Sequence, residues 1–283
     1  MRILITNDDG IGAPGIAVLA RAVARWIESN TSGEAHEAIV VAPHTNHSGM
    51  SSAVGDVFDN PSVIYRRHTI VGAESLATYA LEAPPALCAL LGAIGSFNFE
   101  PDVILSGINA GANVGRSVLH SGTIGAILTG AQLGLSGLAV SVQWGDNVHY
   151  DTAAAVAIEV LQELMMDPAH ALLNLNVPNL PAAQLKGVRR GRISTAGVVK
   201  AAGPRAGGEP LADEGELPLR LGAATPELGD VSDEAPDDDG ALLAAGYASL
   251  TPLRGPHEDT DTAIDDLMAS SLAAITRHLR GLH

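Results

Sequence analysis

Two adjacent carboxylates, Asp8 and Asp9, follow a short apolar run near the start of the chain. Residues 3–6 are typical of a strand buried in a parallel sheet, and Asn7 and Gly10 break it. Paired carboxylates at the end of a buried strand repel each other and are costly to dehydrate. A divalent cation removes both costs, and carboxylate oxygens suit Mg²⁺, Mn²⁺ or Ca²⁺. Because Asn, Asp and Gly are also ordinary turn residues, the segment alone leaves a metal site and a plain turn both open.

A second polar segment, residues 44–55, follows the next predicted strand and contains Ser48. Hydroxyl and amide groups in this segment could ligate a metal or bind phosphate. Taken by itself, the segment is equally typical of a solvated loop rich in Ser and Gly, and that is the simpler interpretation.

A third polar segment, residues 106–113, follows another buried strand and contains Asn109, whose side chain offers a neutral oxygen ligand. Ser121, Gly122 and Thr123 then begin a predicted helix. Hydroxyls and free backbone amides converge on an anion at such a position. Simple N-capping would also explain Ser121 and Thr123, so the residues leave both interpretations open.

Other kinds of catalytic site are disfavoured. The glycine-rich segment lacks the Gly-Lys-Ser/Thr ending of a P-loop and does not fit the dinucleotide fingerprint, which argues against a nucleoside triphosphatase or a dehydrogenase. His and Cys do not cluster with zinc spacing. Cys88 lies in an apolar helical pattern typical of a core residue. There is no Gly-x-Ser-x-Gly nucleophile elbow.

Alternating strands and helices must position these polar segments. The pattern predicts a doubly wound α/β core, in which ligands bind beyond the carboxyl ends of the strands. We expect this core to span residues 1–180. Its predicted strands are 3–6, 38–42, 103–105, 138–142 and 172–177, with an extended stretch at 63–71, and its predicted helices are 14–26, 84–94, 122–133 and 153–165.

Composition narrows the possible partners. The 283 residues carry a formal net charge of −16, so we expect no nucleic-acid platform and no binding to anionic membranes. A phosphate site must then supply its own positive field from a metal, helix N-termini or backbone amides. A single cysteine, no signal-peptide pattern and no apolar run of membrane-spanning length predict a cytoplasmic location.

Residues 181–283 form a predicted extension to the core. Between residues 201 and 240 there are eleven acidic and two basic residues, typical of loops with one strand at 217–221. A strand is predicted at 246–250. Residues 262–279 have the spacing of an amphipathic helix that needs an apolar partner. The pattern does not decide whether that partner is the chain's own core or another subunit.

Taken together, these segments resemble the SurE survival-protein family of 5′/3′-nucleotidases. The similarity covers most of the chain and is strongest in residues 3–10, 41–43 with 46–49, and 106–111 with 121–123, with support from 173–178 and 246–253. The resemblance implies a Rossmann-like three-layer αβα core with a C-terminal oligomerisation extension, giving homodimers or homotetramers. It implies one divalent metal ion per subunit, held by Asp8, Asp9, Ser48 and Asn109, and phosphate contacts from Asn113, Ser121, Gly122 and Thr123.

The activity implied by the resemblance is metal-dependent hydrolysis of nucleoside 5′- and 3′-monophosphates to nucleoside and phosphate. Either Asp8 or Asp9 could orient or deprotonate the attacking water, and the sequence does not say which. A phosphatase with Asp8 as a covalent nucleophile is disfavoured, because Gly10 stands where a second Asp is needed. The alternative is a catalytically weak or inactive nucleotide-binding protein of the same fold.

Overall fold

Nine strands form one mixed sheet in the described part of the chain. The computed structural model describes residues 1–30, 35–57, 59, 61–166, 170–194 and 235–256. The strands are β1 (Arg2–Thr6), β2 (Glu37–Pro43), β3 (Tyr65–His68), β4 (Ala77–Leu81), β5 (Val103–Ala110), β6 (Ser136–Val142), β7 (Leu172–Val177), β8 (Val188–Arg190) and β9 (Ala248–Leu253). Their spatial order is β3-β4-β2-β1-β5-β6-β7-β9-β8.

The centre of this sheet is parallel. Strands β4, β2, β1, β5, β6 and β7 pair in parallel with their neighbours, whereas β3 and β9 run antiparallel to β4 and β7. The carboxyl ends of β1, β2 and β5 therefore meet at one edge. That edge receives all three polar segments, as expected for a doubly wound fold.

Helices cover both faces of the sheet. They are α1 (Pro14–Ser29), α2 (Pro85–Ala93), α3 (Gly122–Ala131), α4 (Tyr150–Met166) and the short α5 (Asp239–Ala244), with a 3₁₀ helix at Gly115–His120 and another at Ala182–Gln184. One apolar core lies between the sheet and helices α1 and α4, and a second lies under α2 and α3. Alternate residues of β1 divide between the two cores, with Ile3 and Ile5 in the first and Leu4 in the second. The three-layer α/β fold is confirmed.

Several parts of the secondary structure differ from the sequence-based expectation. Strand β8 and helix α5 were not predicted. Strand β5 runs to Ala110, so the predicted loop at 106–113 is largely strand, with an irregular register between Ser106 and Asn109. A Cβ atom on Gly107 would lie 2.3 Å from the carbonyl oxygen of Val140, so glycine here permits strand packing and does not mark a turn. Strand β4 was not predicted. The extended stretch at 63–71 contains the edge strand β3.

The extension contributes to the same sheet. Strand β9, predicted at 246–250, pairs with β7, and the described residues through Leu253 belong to one compact unit. Most of the acidic segment, the predicted strand at 217–221 and the predicted helix at 262–279 lie outside the described residues. The domain boundary near residue 180 and the oligomerisation role therefore stay predictions. No helix of the described residues is long and apolar enough to span a membrane.

Candidate active site

Asp8 lies at the carboxyl end of β1, directly against the start of helix α3. Its Oδ1 atom accepts a hydrogen bond of 2.7 Å from the hydroxyl of Thr123, and the nearby backbone N–H groups of Gly122 and Thr123 favour its charged form. Only 3% of Asp8 is exposed. Burial raises the pKa of this carboxyl, and the Thr123 hydroxyl opposes that rise. The N-terminus of α3 thus supplies the local positive field that an acidic chain needs here.

Gly122 allows this close approach of strand and helix. A Cβ atom at this position would lie 2.7 Å from Cβ of Asp8 and 2.9 Å from its Oδ2 atom. A larger residue would therefore displace either the carboxylate or the first turn of α3.

Asp9 faces Ser48 and the end of β5. Its Oδ1 atom lies 3.5 Å from the hydroxyl of Ser48, and its Oδ2 atom lies 3.4 Å from the backbone nitrogen of Ala110, the residue after Asn109. Burial, and then the neighbouring charge of Asp8, raise the pKa of Asp9 to about 6. The structure thus brings Ser48 and the end of β5 beside Asp9, the sequence neighbour of Asp8.

Backbone contacts fix the loop that carries Ser48. The backbone nitrogen of His47 donates to the carbonyl of Asp8 at 2.7 Å. Farther along, Ser51 bonds to the end of the 3₁₀ helix: its nitrogen to the carbonyl of His120 at 3.2 Å, and its hydroxyl to the carbonyl of Leu119 at 2.7 Å. The loop therefore joins the carboxylate pair to the segment that leads into α3.

The predicted phosphate contacts have partners within the protein. The hydroxyl of Ser121 accepts a bond of 3.2 Å from the backbone nitrogen of Ile124, which makes Ser121 the N-cap of α3. The hydroxyl of Thr123 is directed at Asp8. Asn113 is buried, and its side-chain amide donates to the hydroxyl of Ser141 at 2.9 Å. The phosphate-binding roles of Asn113, Ser121, Gly122 and Thr123 stay predictions, to which the structure adds a carboxylate-holding contact for Thr123.

The donor set fits a hard divalent cation. No Lys, Arg or His of the described residues forms an ion pair with Asp8 or Asp9, so the two carboxylates share no protein countercharge there. The side-chain nitrogen of Asn109 donates to the carbonyl of Gly111 at 2.7 Å, so its amide oxygen is the side-chain atom that could ligate a cation. The described residues contain no group of three or more His, Cys, Asp or Glu side chains placed to hold a metal ion. A cation bound here would therefore be held by two carboxylates together with hydroxyl and amide oxygens.

Two side chains beside the site were not selected from the sequence. Tyr150, the first residue of α4, has its pKa raised by burial and by the charge of Asp9, which places it near that carboxylate. His47 has a buried Nδ1 atom with no hydrogen-bond partner among the described residues. Their position in the sequence could have identified both, because each lies in the segment that follows the carboxyl end of a strand. By contrast, Cys88 is buried in the core, and burial raises the pKa of its thiol.

Comparison with known proteins gives a consistent result. Residues 3–199 match the family model described as Survival protein SurE. The chain is 37% identical over 260 residues to the 5′-nucleotidase SurE of Nitrosococcus oceani, covering 90% of this chain and 91% of that protein. It is 36% identical over 256 residues to the 5′/3′-nucleotidase SurE of Serratia proteamaculans, covering 90% of each chain. The crystal structure of the SurE protein from Aquifex aeolicus shares the fold, with a TM-score of 0.69, 24% identity and coverage of 95% of this chain and 98% of that one.

Proposed function

The chain belongs to the SurE survival-protein family, and from that premise we propose that it hydrolyses nucleoside 5′- and 3′-monophosphates to nucleoside and phosphate. Relatives that match about nine-tenths of the chain carry the names 5′-nucleotidase or 5′/3′-nucleotidase. The observation that carries the proposal is the placement of Asp8 against the start of α3 and of Asp9 beside Ser48 and the end of β5.

One divalent ion per subunit, Mg²⁺, Mn²⁺ or Ca²⁺, completes the proposed site. Asp8, Asp9, Ser48 and Asn109 would hold it through oxygen atoms, the donors that such ions prefer. When bound, the ion supplies electrostatic stabilisation of charge on the phosphate oxygens. It also supplies the local positive charge that a chain of net charge −16 lacks.

The two carboxylates have different roles in this proposal. Asp8 is held by the Thr123 hydroxyl and the α3 amides, so it is a fixed group. Asp9 makes only long contacts, 3.4 and 3.5 Å, so its oxygens are freer to orient the attacking water and accept its proton. We therefore assign the water-orienting role, which the sequence left open, to Asp9.

The phosphoryl group would be oriented by the segment that follows β5. Asn113 and Ser121 lie at the two ends of this segment, and Gly122 and Thr123, whose amides lie beside Asp8, begin α3. Fixed donors of this kind hold phosphoryl oxygens in position for attack along the line of the leaving group.

Assembly and location complete the proposal. We propose homodimers or homotetramers formed through residues 181–283, and a cytoplasmic location, on the strength of the family resemblance. Light scattering of the full-length protein tests the assembly. A monomer at micromolar concentration would contradict it.

A phosphate-release screen tests the activity. Nucleoside 5′- and 3′-monophosphates and sugar phosphates are compared with Mg²⁺, Mn²⁺ or Ca²⁺ present and with EDTA. We expect nucleotide turnover that EDTA abolishes and a metal restores. Full turnover by protein shown to be metal-free by elemental analysis would overturn the mechanism. Nucleotide binding without turnover under any metal would support the alternative of an inactive binding protein.

A further inference from the structure

The segment that links β5 to α3 is held in place by side chains of β7 and α5. The proposed function gives these side chains no role. It carries Asn113 at one end and Ser121 at the other, and between them runs the 3₁₀ helix Gly115–His120. A segment of this kind has few backbone hydrogen bonds of regular structure, so its placement depends on whatever binds its backbone.

Strand β7 holds the first part of this segment. The backbone nitrogen of Asn113 donates to Oδ1 of Asn176 at 2.7 Å, and Nδ2 of Asn176 donates back to the carbonyl of Asn113 at 3.1 Å. The side chain of Asn174 donates to the same carbonyl at 2.9 Å. Asn174 and Asn176 are fully buried. Both backbone polar groups of Asn113 are therefore bound by side chains of one strand.

Helix α5 holds the next part. The backbone nitrogen of Gly115 lies 3.1 and 3.0 Å from the two carboxylate oxygens of Asp239. The same carboxylate accepts from the backbone nitrogens of Ser194 at 3.2 Å and Gly240 at 2.9 Å. Asp239 is 0% exposed, and no Lys, Arg or His of the described residues forms an ion pair with it. Burying a carboxylate without a cation is costly, and backbone donors partly offset that cost.

We propose that Asn176 and Asp239 are positioning residues that clamp the backbone of residues 113–115 and thereby place Asn113 and Ser121 for the substrate phosphate. The inference rests on the proposed function. It gives the extension beyond residue 180 a part in catalysis, since Asp239 lies 124 positions from Gly115 in sequence. It also explains why a carboxylate is buried here: a single side chain accepts from three separate stretches of backbone.

A plain structural role is the competing explanation, because Asp239 also ties α5 to residue 194. The two roles differ in what they change. A clamp acts through Asn113, so its loss weakens the use of substrate phosphate and leaves the metal ligands in place. A purely structural contact changes stability alone.

The test compares Asp239→Asn with Asp238→Asn in the full-length protein. Asp238 is a matched control, because its Oδ2 atom accepts only a local bond, 3.0 Å from the nitrogen of Ala235. We measure kcat/KM for a nucleoside monophosphate, apparent Mn²⁺ affinity and the thermal midpoint. Asp239→Asn should lower kcat/KM about tenfold or more with Mn²⁺ affinity within about twofold of wild type, whereas Asp238→Asn should leave kcat/KM within about twofold.

A double-mutant cycle with Asn113→Ala separates the two explanations. If Asp239 acts through Asn113, adding Asp239→Asn to Asn113→Ala should lower kcat/KM by much less than it does alone. Additive losses, or a lower thermal midpoint with unchanged kcat/KM, overturn the clamp. Should Asp239→Asn fail to fold, Asn176→Ser carries the same test, because it removes both bonds to the Asn113 backbone.

A separate measurement distinguishes failure of the clamp from failure of the proposed function. If wild-type protein turns over no nucleotide, the proposed function fails, and calorimetric titration with inorganic phosphate in the presence of Mn²⁺ then decides the clamp. Weaker phosphate binding by Asp239→Asn than by Asp238→Asn supports it. Equal binding by the two variants overturns it.

Discussion

The hydroxyl of Thr123 donates a 2.7 Å hydrogen bond to the carboxylate of Asp8, joining the first strand of the sheet to the first turn of α3. The two residues are 115 positions apart in sequence. This bond and the α3 amides favour the charged form of Asp8, the form that the proposed cation site requires. The same bond directs the Thr123 hydroxyl at Asp8, and the phosphate contact predicted for Thr123 stays a prediction.

Replacing Thr123 with Val tests this contact. The change preserves shape but removes the donor, so we expect weaker Mn²⁺ binding, slower turnover and a loss of about 1–2 kcal/mol in unfolding free energy. Thr129→Val is the matched control on the same helix, because the Thr129 hydroxyl bonds only to the carbonyl of Gly125 at 2.8 Å. Metal titration and denaturant unfolding measure both effects. Normal Mn²⁺ affinity in Thr123→Val would show that the contact does not prepare the ligand.

Replacing Gly122 with Ala should disturb the same junction. The added Cβ would lie 2.7 Å from Cβ of Asp8 and 2.9 Å from Cγ of Pro85, so strand, helix or carboxylate must move. We expect at least about tenfold lower kcat/KM. Gly12→Ala provides the control, since a Cβ there meets nothing within 4 Å. Equal activity of the two variants would mean that the junction tolerates displacement.

Replacing Asp9 with Asn should abolish most activity and leave the fold intact. The side chain keeps its size but loses the charge that would ligate the cation, so turnover should fall about 100-fold or more. Asp102→Asn is a control with the same chemical change, at an exposed position at the start of β5. Turnover is measured at saturating Mn²⁺, with circular dichroism as the check on folding. Near-normal turnover would exclude Asp9 as a ligand.

Stability in EDTA should depend on pH through Asp9. Its pKa is raised from 3.8 to about 6, so the folded protein binds this proton more tightly than the unfolded chain does. The stability contributed by this group is full below pH 3.8 and is lost as pH rises through about 6. Between about pH 4 and about pH 7, wild type should therefore lose up to about 3 kcal/mol relative to Asp9→Asn. The measurement is denaturant unfolding of both proteins in EDTA at several pH values. A difference in unfolding free energy between wild type and Asp9→Asn that stays constant across this range would contradict the prediction.

Replacing Ser121 with Ala separates capping from substrate binding. The structure shows the cap, a bond of 3.2 Å from the Ile124 nitrogen, so we expect a loss of about 1 kcal/mol in unfolding free energy. If Ser121 also holds phosphate oxygens, KM should rise or turnover should fall without release of metal. Thermal unfolding, kinetics and metal content are measured on the same preparation. Lower stability with unchanged kinetics would leave capping as its sole role.

The sequence predicted best what local pattern determines. The apolar runs of β1, β2, β6 and β7 were located because buried parallel strands are continuous and aliphatic. Strand β4 was missed, since Ala77 and Tyr79 are only half-buried and its pattern is weak. The end of β5 was assigned to a loop because Ser, Gly and Asn are turn residues in most contexts.

The candidate site was predictable only in part, because most of its contacts join residues that are far apart in sequence. Asp8 and Asp9 are adjacent, so their repulsion can be inferred directly from the sequence. The bond from Thr123 to Asp8 and the contact of Asp239 with Gly115 join residues more than a hundred positions apart. No local periodicity encodes such pairs. They arise when parallel strands bring their carboxyl ends together and helices begin at that edge.

Gly125 has a consequence for engineering this protein. A Cβ on this residue would lie 2.1 Å from the carbonyl oxygen of Ser51, so the loop that carries Ser48 rests directly on the helix backbone. Replacing helical glycines with alanine is a common route to thermostability, because it reduces the freedom of the unfolded chain. At this position the same exchange would push the Ser48 loop outward. A screen for thermostability alone could therefore retain Gly125→Ala although the substitution displaces the loop that carries Ser48.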